Sequence, residues 1–397
     1  MGVRHVTLSM FVLAVLATTL DAGGVPPTTA SPEAAWWSDG VTATLEQAGD
    51  RGPAWIAALQ QSPIDHRPAL AFLLEHMPTR DLLTLDPDFV LENVALACAA
   101  RGAVPWGRAI PEEIFLNDVL PYANISERRD PWRSDFKERF LPMVRECVTP
   151  REAAHLLNQR IFAELGVKYS TARARADQSP AESIDSGLAS CTGLSILLVN
   201  ACRATGIPAR VVGIPNWVNK SGNHTWVEIW DGGQWHFAGA AEPDERGLNH
   251  AWFTGRAARA QRDHPEHSIY AISYRRTGLR FPVTFDTDAE PAWAINVTDR
   301  YATPASPPDT DTRLLVTVVD DTGRRVAANV TVRAATDAAT IHAGVSRDET
   351  HDQNDVLTFT IVRGERYEVV AGDTITPVTT DSEVHALTIT VDTGGEG

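Results

Sequence analysis

The chain has 397 residues, 43% of them hydrophobic, enough for two or three cores, and its 35 Lys+Arg against 51 Asp+Glu leave a net charge of −16. An acidic chain without a long basic run excludes the classes that depend on clustered cations, so neither nucleic acid nor an anionic membrane surface is an expected partner. Phosphate-loop and serine-hydrolase signatures are absent.

Residues 1–22 carry Arg4 and His5, an apolar run too short to span a bilayer unaided, and small residues near Ala17 and Ala22. They read as a secretory signal peptide, which predicts a secreted or periplasmic protein without stable membrane insertion. Residues 23–31, rich in Gly, Pro and Thr, read as a linker. Over residues 32–109, alanine and leucine are punctuated by Pro53, Pro63, Pro68, Pro78 and Pro87, the pattern of a helical N-terminal part made of short helices. Thr149-Pro150-Arg151-Glu152 is a capping box with proline at the first helical position, so a helix is expected to run from there to Gly166. Asn158 or Gln159 on that helix could offer an amide to an oxyanion, or could belong to a solvated face. Trp106, Trp132 and Tyr169 could wall a groove or fill a core.

The chemistry concentrates in residues 186–235. Cys191 follows a small, polar run, and Leu194, Leu197, Leu198 and Ala201 then recur at helical spacing until Gly206 and Pro208 stop the helix. The helix therefore starts at or beside Cys191, where unpaired N–H groups and the positive dipole end favour a thiolate. Residues 209–214 read as an apolar strand. A β-hairpin follows, turning at Asp231-Gly232-Gly233, with His224, Trp226, Glu228 and Trp230 on one face. His224 thus opens a strand and can point at the helix end. A thiolate paired with an imidazole, itself oriented by a third group, is the minimal machinery of acyl transfer.

Cysteine at a helix start, Gly206-Ile207-Pro208-Ala209-Arg210, Asn223-His224-Thr225-Trp226-Val227-Glu228-Ile229-Trp230 and the Gly233-Gln234-Trp235 turn together resemble the transglutaminase-like superfamily of papain-type thiol enzymes. The strings PEEIFLNDVLPY, DPWRSDF and HLLNQRIFAELGVKY are similar to those of bacterial secreted members. The resemblance implies an α+β core over residues 110–300, a helix bearing cysteine packed on an antiparallel sheet. It implies Cys191 as nucleophile, His224 as base, and a protein or peptide amide as substrate. The family pattern would place an aspartate at position 239, but this chain has Gly239. Glu242-Pro243 echoes the family's Asp-Pro, so Glu242 is expected to orient the imidazole, with Asp244 second and His236 a poorer partner. A non-catalytic module that binds peptide or glycan is the rival reading, and Gly239 is its support.

The other cysteines are Cys98, Cys147 and Cys202. Cys191 and Cys202 stand roughly 16 Å apart on one helix and cannot bond; Cys98 with Cys147 is the pairing that would leave both free. His264-Pro265-Glu266-His267 has superficial metal-ligand spacing, but the proline argues against one helix presenting both rings, and no HExxH or CxxC occurs. No metal or cofactor is expected. Residues 301–311 read as a linker. Residues 312–393 hold five β-branched runs separated by turns, a β-sandwich whose LLVTVVDDTGRRVAANVTVRA resembles carboxypeptidase regulatory-like accessory domains. With no catalytic set of its own, the sandwich is expected to serve attachment to substrate or surface.

Overall fold

Proline punctuation cuts the first hundred residues into α1 (Asp39–Gln47), α2 (Gly52–Gln61), α3 (Arg67–His76), α4 (Thr79–Thr84) and α5 (Pro87–Ala103). Proline sits in the first turn of α2, α3 and α5, where its missing N–H costs no intrahelical bond. The computed structural model describes residues 35–282, 290, 292–302, 311–336 and 338–392. The expected signal peptide, the 23–31 linker and most of the 301–311 linker lie outside these. Of the unit Met1–Ser38, only residues 35–38 are described; Asp39–Gly397 cluster as the second unit. Among the described residues no helix is long and apolar enough to cross a membrane.

After α6 (Glu112–Asp118) and α7 (Trp132–Phe140) comes α8 (Pro150–Leu165). Its cap is half of the expected box: Thr149 Oγ1 accepts the Glu152 N–H at 3.2 Å, but the Glu152 carboxylate reaches past Thr149 to accept the Val148 N–H at 3.0 Å, and Gly166 ends the helix at φ 69°. Short parallel strands β1 (Lys168–Tyr169) and β2 (Leu188–Ala189) flank α9 (Pro180–Ser186) and lead straight into α10 (Cys191–Ala204). The apolar stripe underestimates α10, because every residue after Cys191 is buried. Helix α10 packs against α5, α7, α8 and the sheet. Its C-terminal end needs special care, since carbonyls there are buried away from water. Arg133 donates to the carbonyls of Arg203, Val119, Leu120 and Pro121 at 2.9–3.0 Å, and Arg203 donates to those of Ala209 and Ala123.

The sheet has the order β5-β4-β3-β6-β8-β7 and is antiparallel throughout. It comprises β3 (Ala209–Ile214), β4 (His224–Asp231), β5 (Gln234–Ala238), β6 (Tyr270–Ser273), β7 (Leu279–Arg280) and β8 (Trp293–Asn296), with the short α11 (Thr254–Ala257) between β5 and β6. The C-terminal part packs two sheets face to face. One is β11 (Thr340–Val345), β10 (Asn329–Ala334), β13 (Arg366–Ala371) and β14 (Thr374–Thr379); the other is β12 (Leu357–Val362), β9 (Asp311–Val319) and β15 (Val384–Thr390). Leu314, Val316, Val330, Val332, Phe359 and Val369 fill the space between them. Two of these seven strands escape the pattern, β11 and β14. Both are edge strands with exposed apolar residues such as Ile341 and Ile375, and Pro377 sits inside β14. All four cysteines are free, so Cys98 and Cys147 are not bridged.

Gly206 shows why the helix stops where it does. Its φ is +71°, and a Cβ there would lie 2.8 Å from the Ala100 carbonyl oxygen. Gly206→Ala is expected to cost about 1–3 kcal/mol in urea denaturation; a loss under about 0.5 kcal/mol would mean the α5–α10 junction yields freely.

Candidate active site

Ser190 caps α10: its Oγ accepts the Gly193 N–H at 3.1 Å and donates to the Ala176 carbonyl at 2.5 Å, which fixes the first turn and Cys191 with it. The adjacent Thr192 hydroxyl meets that of Thr225 at 3.0 Å, joining the start of α10 to the start of β4. His224 is the first residue of β4 and pairs with Ile214. Its ring is enclosed by Trp217, Trp226, Trp252 and Phe253, with centroids 6.2, 5.9, 4.7 and 4.9 Å away. The sulfur of Cys191, a ring nitrogen of His224 and a carboxylate oxygen of Asp352 all lie within 4.8 Å of one another. His224 Nδ1 and Asp352 Oδ2 are 3.6 Å apart, both side chains almost wholly buried, while Cys191 keeps some exposure. A thiol, an imidazole and a carboxylate converge.

Burial and the Asp352 charge push the Cys191 thiol up, while His224 and the Thr225 backbone pull it down; the net direction is upward. Burial alone would lower the His224 imidazole, but the Asp352 carboxylate and the sulfur outweigh it and raise the ring to about 10. For Asp352 the imidazole likewise prevails over burial, and its carboxyl is held below the usual range. The resting charge is therefore an Asp352–His224 ion pair facing a thiol. These three residues are also the group among the described residues able to hold a metal ion; thiolate, imidazole and carboxylate are all ligands zinc accepts. His264 and His267 stack on each other at 4.1 Å, and the latter's Nδ1 meets the Asn216 carbonyl.

Residues 139–240 match the sequence profile of the Transglutaminase-like superfamily. This chain carries a transglutaminase-like domain. Among solved structures it is similar to a candidate cysteine protease from Cytophaga hutchinsonii, at 18% identity and a TM-score of 0.25, over 41% of this chain and 58% of that one. It is also similar to the Bacillus anthracis TIE protein, at 9% identity and a TM-score of 0.18, over 47% of this chain and 30% of that one. The chain thus spans little more than half of the first of these. No curated protein matches it.

The transglutaminase-like hairpin ends in a tight turn at Gly239. Asn158 grips that turn from both sides, donating to the Gly239 carbonyl at 2.8 Å and accepting the Ala241 N–H at 2.9 Å. Its amide is thereby committed to the backbone, and Gln159 contacts His155, so neither is aimed at an oxyanion. Ala241 takes φ 64°, and the chain folds back so that Glu242 lies over Gly239. A Cβ at position 239 would collide with Glu242 Oε2 and stand 3.1 Å from its Cβ. Glu242 and an aspartate at 239 compete for one space.

The Glu242 carboxylate nevertheless does not bond to the imidazole. It accepts the Trp252 indole N–H at 2.8 Å, and burial pushes it up to about 7 against the opposing pull of His224. Asp244 is occupied by Arg246 through two bonds of 2.8 Å, and His236 meets Asn249. The carboxylate that faces His224 is Asp352, from the β11–β12 loop of the sandwich. The sandwich, expected to carry no catalytic set of its own, thus places a carboxylate beside the His224 ring. Nothing local to the Asp348–Asp355 stretch distinguishes Asp352 from its acidic neighbours; the distinction is tertiary. Of the aromatic candidates, Trp106 and Trp132 serve the core, donating to the carbonyls of Gly206 and Tyr122. Tyr169 reaches the sandwich loop, its hydroxyl accepting the Gln353 N–H at 2.9 Å.

Because His224 pulls the thiol down, His224→Ala is expected to leave less thiolate at any given pH. Alkylation of Cys191 by iodoacetamide, followed by mass spectrometry between about pH 6 and 10, should shift to higher pH in the variant. An unchanged profile would show that ring and sulfur do not interact.

Proposed function

We propose that the protein is an exported thiol acyltransferase or amide hydrolase acting on peptide or protein amides. The observation that carries this reading is the partly exposed Cys191 at the first turn of α10, within 4.8 Å of a buried His224. Export rests on the signal-like residues 1–22.

In this reading the pair first loses one proton to water; the proton that remains sits on His224, and the Cys191 thiolate attacks the acyl carbon, forming a C–S bond. The C–N bond of the amide breaks, and the imidazolium proton leaves with the amine. Water or a second amine then attacks the thioester, giving hydrolysis or transamidation and restoring the thiol.

The pH dependence follows from the electrostatics. The thiol is raised and the ring holds its proton to about 10, so acylation is expected to climb from neutral into the alkaline range. Incubating the full chain with a peptide library, with and without a primary amine, should trap a thioester on Cys191 by mass spectrometry. Cys191→Ala should abolish it, and His224→Ala should slow acylation about 10²- to 10⁴-fold. Stoichiometric peptide binding that survives Cys191→Ala, without turnover, would instead support a binding module.

A further inference from the structure

We infer that the C-terminal β-sandwich is part of the active centre, and that its Asp352 is the positioning carboxylate for His224 in place of the aspartate missing at position 239. The inference rests on the Cys191–His224 reading proposed above, and adds the domain that completes it.

The ring of His224 is walled by aromatic faces, and Asp352 Oδ2 stands 3.6 Å from its Nδ1. Among the described residues, neither ring nitrogen nor Asp352 Oδ2 has a hydrogen-bond partner, though all three are buried. Buried polar atoms left over in this way are costly unless they serve each other. Asp352 Oδ1 accepts the Asn354 N–H at 2.8 Å, which turns Oδ2 toward the ring. The two carboxylates expected from the sequence are spent elsewhere, Glu242 on Trp252 and Asp244 on Arg246.

The loop that carries Asp352 is built to hold one shape. Arg325, between β9 and β10, donates to the carbonyls of Arg347, Asp352 and Asp355 at 3.2, 3.1 and 2.9 Å, while its own N–H goes to Glu349. Arg347 in turn pairs with Asp355 at 2.9 Å. Two latches then fasten the loop to the core on either side of the thiol–imidazole pair. The Gln353 N–H reaches Tyr169, whose partner across β1–β2 is Ala189, two residues before Cys191. Asn354 Nδ2 donates at 2.8 Å to the carbonyl of Asn223, the residue before His224. Gly222 makes room for this approach, since a Cβ there would stand 3.2 Å from Asn354 Oδ1. A module kept only for attachment has no use for a buried carboxylate aimed at a histidine of the neighbouring fold.

In the reaction Asp352 stays ionised throughout. It holds one ring nitrogen and supports the imidazolium, while the other nitrogen exchanges the proton with sulfur and leaving amine. Arg325 acts through the loop and is a positioning residue at one further remove.

The test uses the full chain and two readouts. The first is ¹⁵N NMR of histidine-labelled protein, with His224→Gln identifying the signal. The ring is expected to stay protonated well above neutral pH in the parent and to lose its proton below neutral in Asp352→Asn, with Glu242→Gln and Asp244→Asn leaving it protonated. The second is acylation of Cys191 by a chromogenic ester. Asp352→Asn should slow it ~10²-fold or more, and Glu242→Gln by less than ~3-fold. Arg325→Met should lower both readouts, with partial rescue by Arg325→Lys. If Asp352→Asn does not fold by near-ultraviolet circular dichroism, Arg325→Met decides by the same titration. An unchanged His224 titration in Asp352→Asn, or in Arg325→Met where that variant decides, overturns the inference, as does a larger effect of Glu242→Gln. Failure of Cys191 to acylate in the parent would overturn the thiol reading alone, because the titration still reports on the carboxylate.

Discussion

The burial of every residue of α10 after Cys191 is the constraint on which the rest of the structure depends. A helix enclosed on all sides cannot leave its end groups to water, so each terminus must be saturated by the protein. At the C-terminal end, Arg133 and Arg203 bring their forked donors to a ring of carbonyls from three segments. At the N-terminal end, Ser190 satisfies the first turn and ties it to Ala176. Cys191 inherits its position from these bonds. Burial of polar groups that are fully satisfied gives a rigid helix start, and a nucleophile needs that rigidity more than it needs stability.

The sheet supplies the second fixed point. Register in β4 is set from beneath by Glu228, whose carboxylate accepts from Arg210, Arg300 and the Tyr301 hydroxyl, while Trp226 donates to the same Tyr301. A one-residue slip would place this charge against the apolar side and is therefore excluded. With the register fixed, His224 sits at the strand entrance beside the Thr192–Thr225 contact. The aromatic enclosure then lowers the local dielectric around the ring. A single nearby carboxylate becomes decisive for its charge.

Position 239 illustrates how a departure from a family pattern is absorbed by neighbours. Glycine there lets the chain double back, and the Glu242 side chain fills the volume vacated. Trp252 takes up one oxygen of Glu242, and burial carries that carboxyl up to about 7, which suits it poorly as a permanent counter-charge. Asp352, tied to the ring by mutual charge, is held low instead. Two acids near one imidazole are driven apart in acidity by their surroundings.

The sequence by itself determined whatever depends on neighbours along the chain. Helix spacing with Gly206 and Pro208 located α10, Thr149 and Glu152 located the start of α8, and period-2 alternation around Asp231-Gly232-Gly233 located the hairpin. Together these put Cys191 at a helix start and His224 at a strand start, because caps, turns and periodicity are local physics. Edge strands β11 and β14 were illegible for the same reason in reverse, since exposed edges need no apolar alternation and tolerate Pro377. Only the tertiary structure decided which groups surround the pair. It spent Asn158 on the turn at Gly239, turned Glu242 to Trp252, and brought Asp352 across from a second fold. The side chain that completes a site is chosen by distance in space, and residues 224 and 352 have no sequence relation that could announce that they face one another.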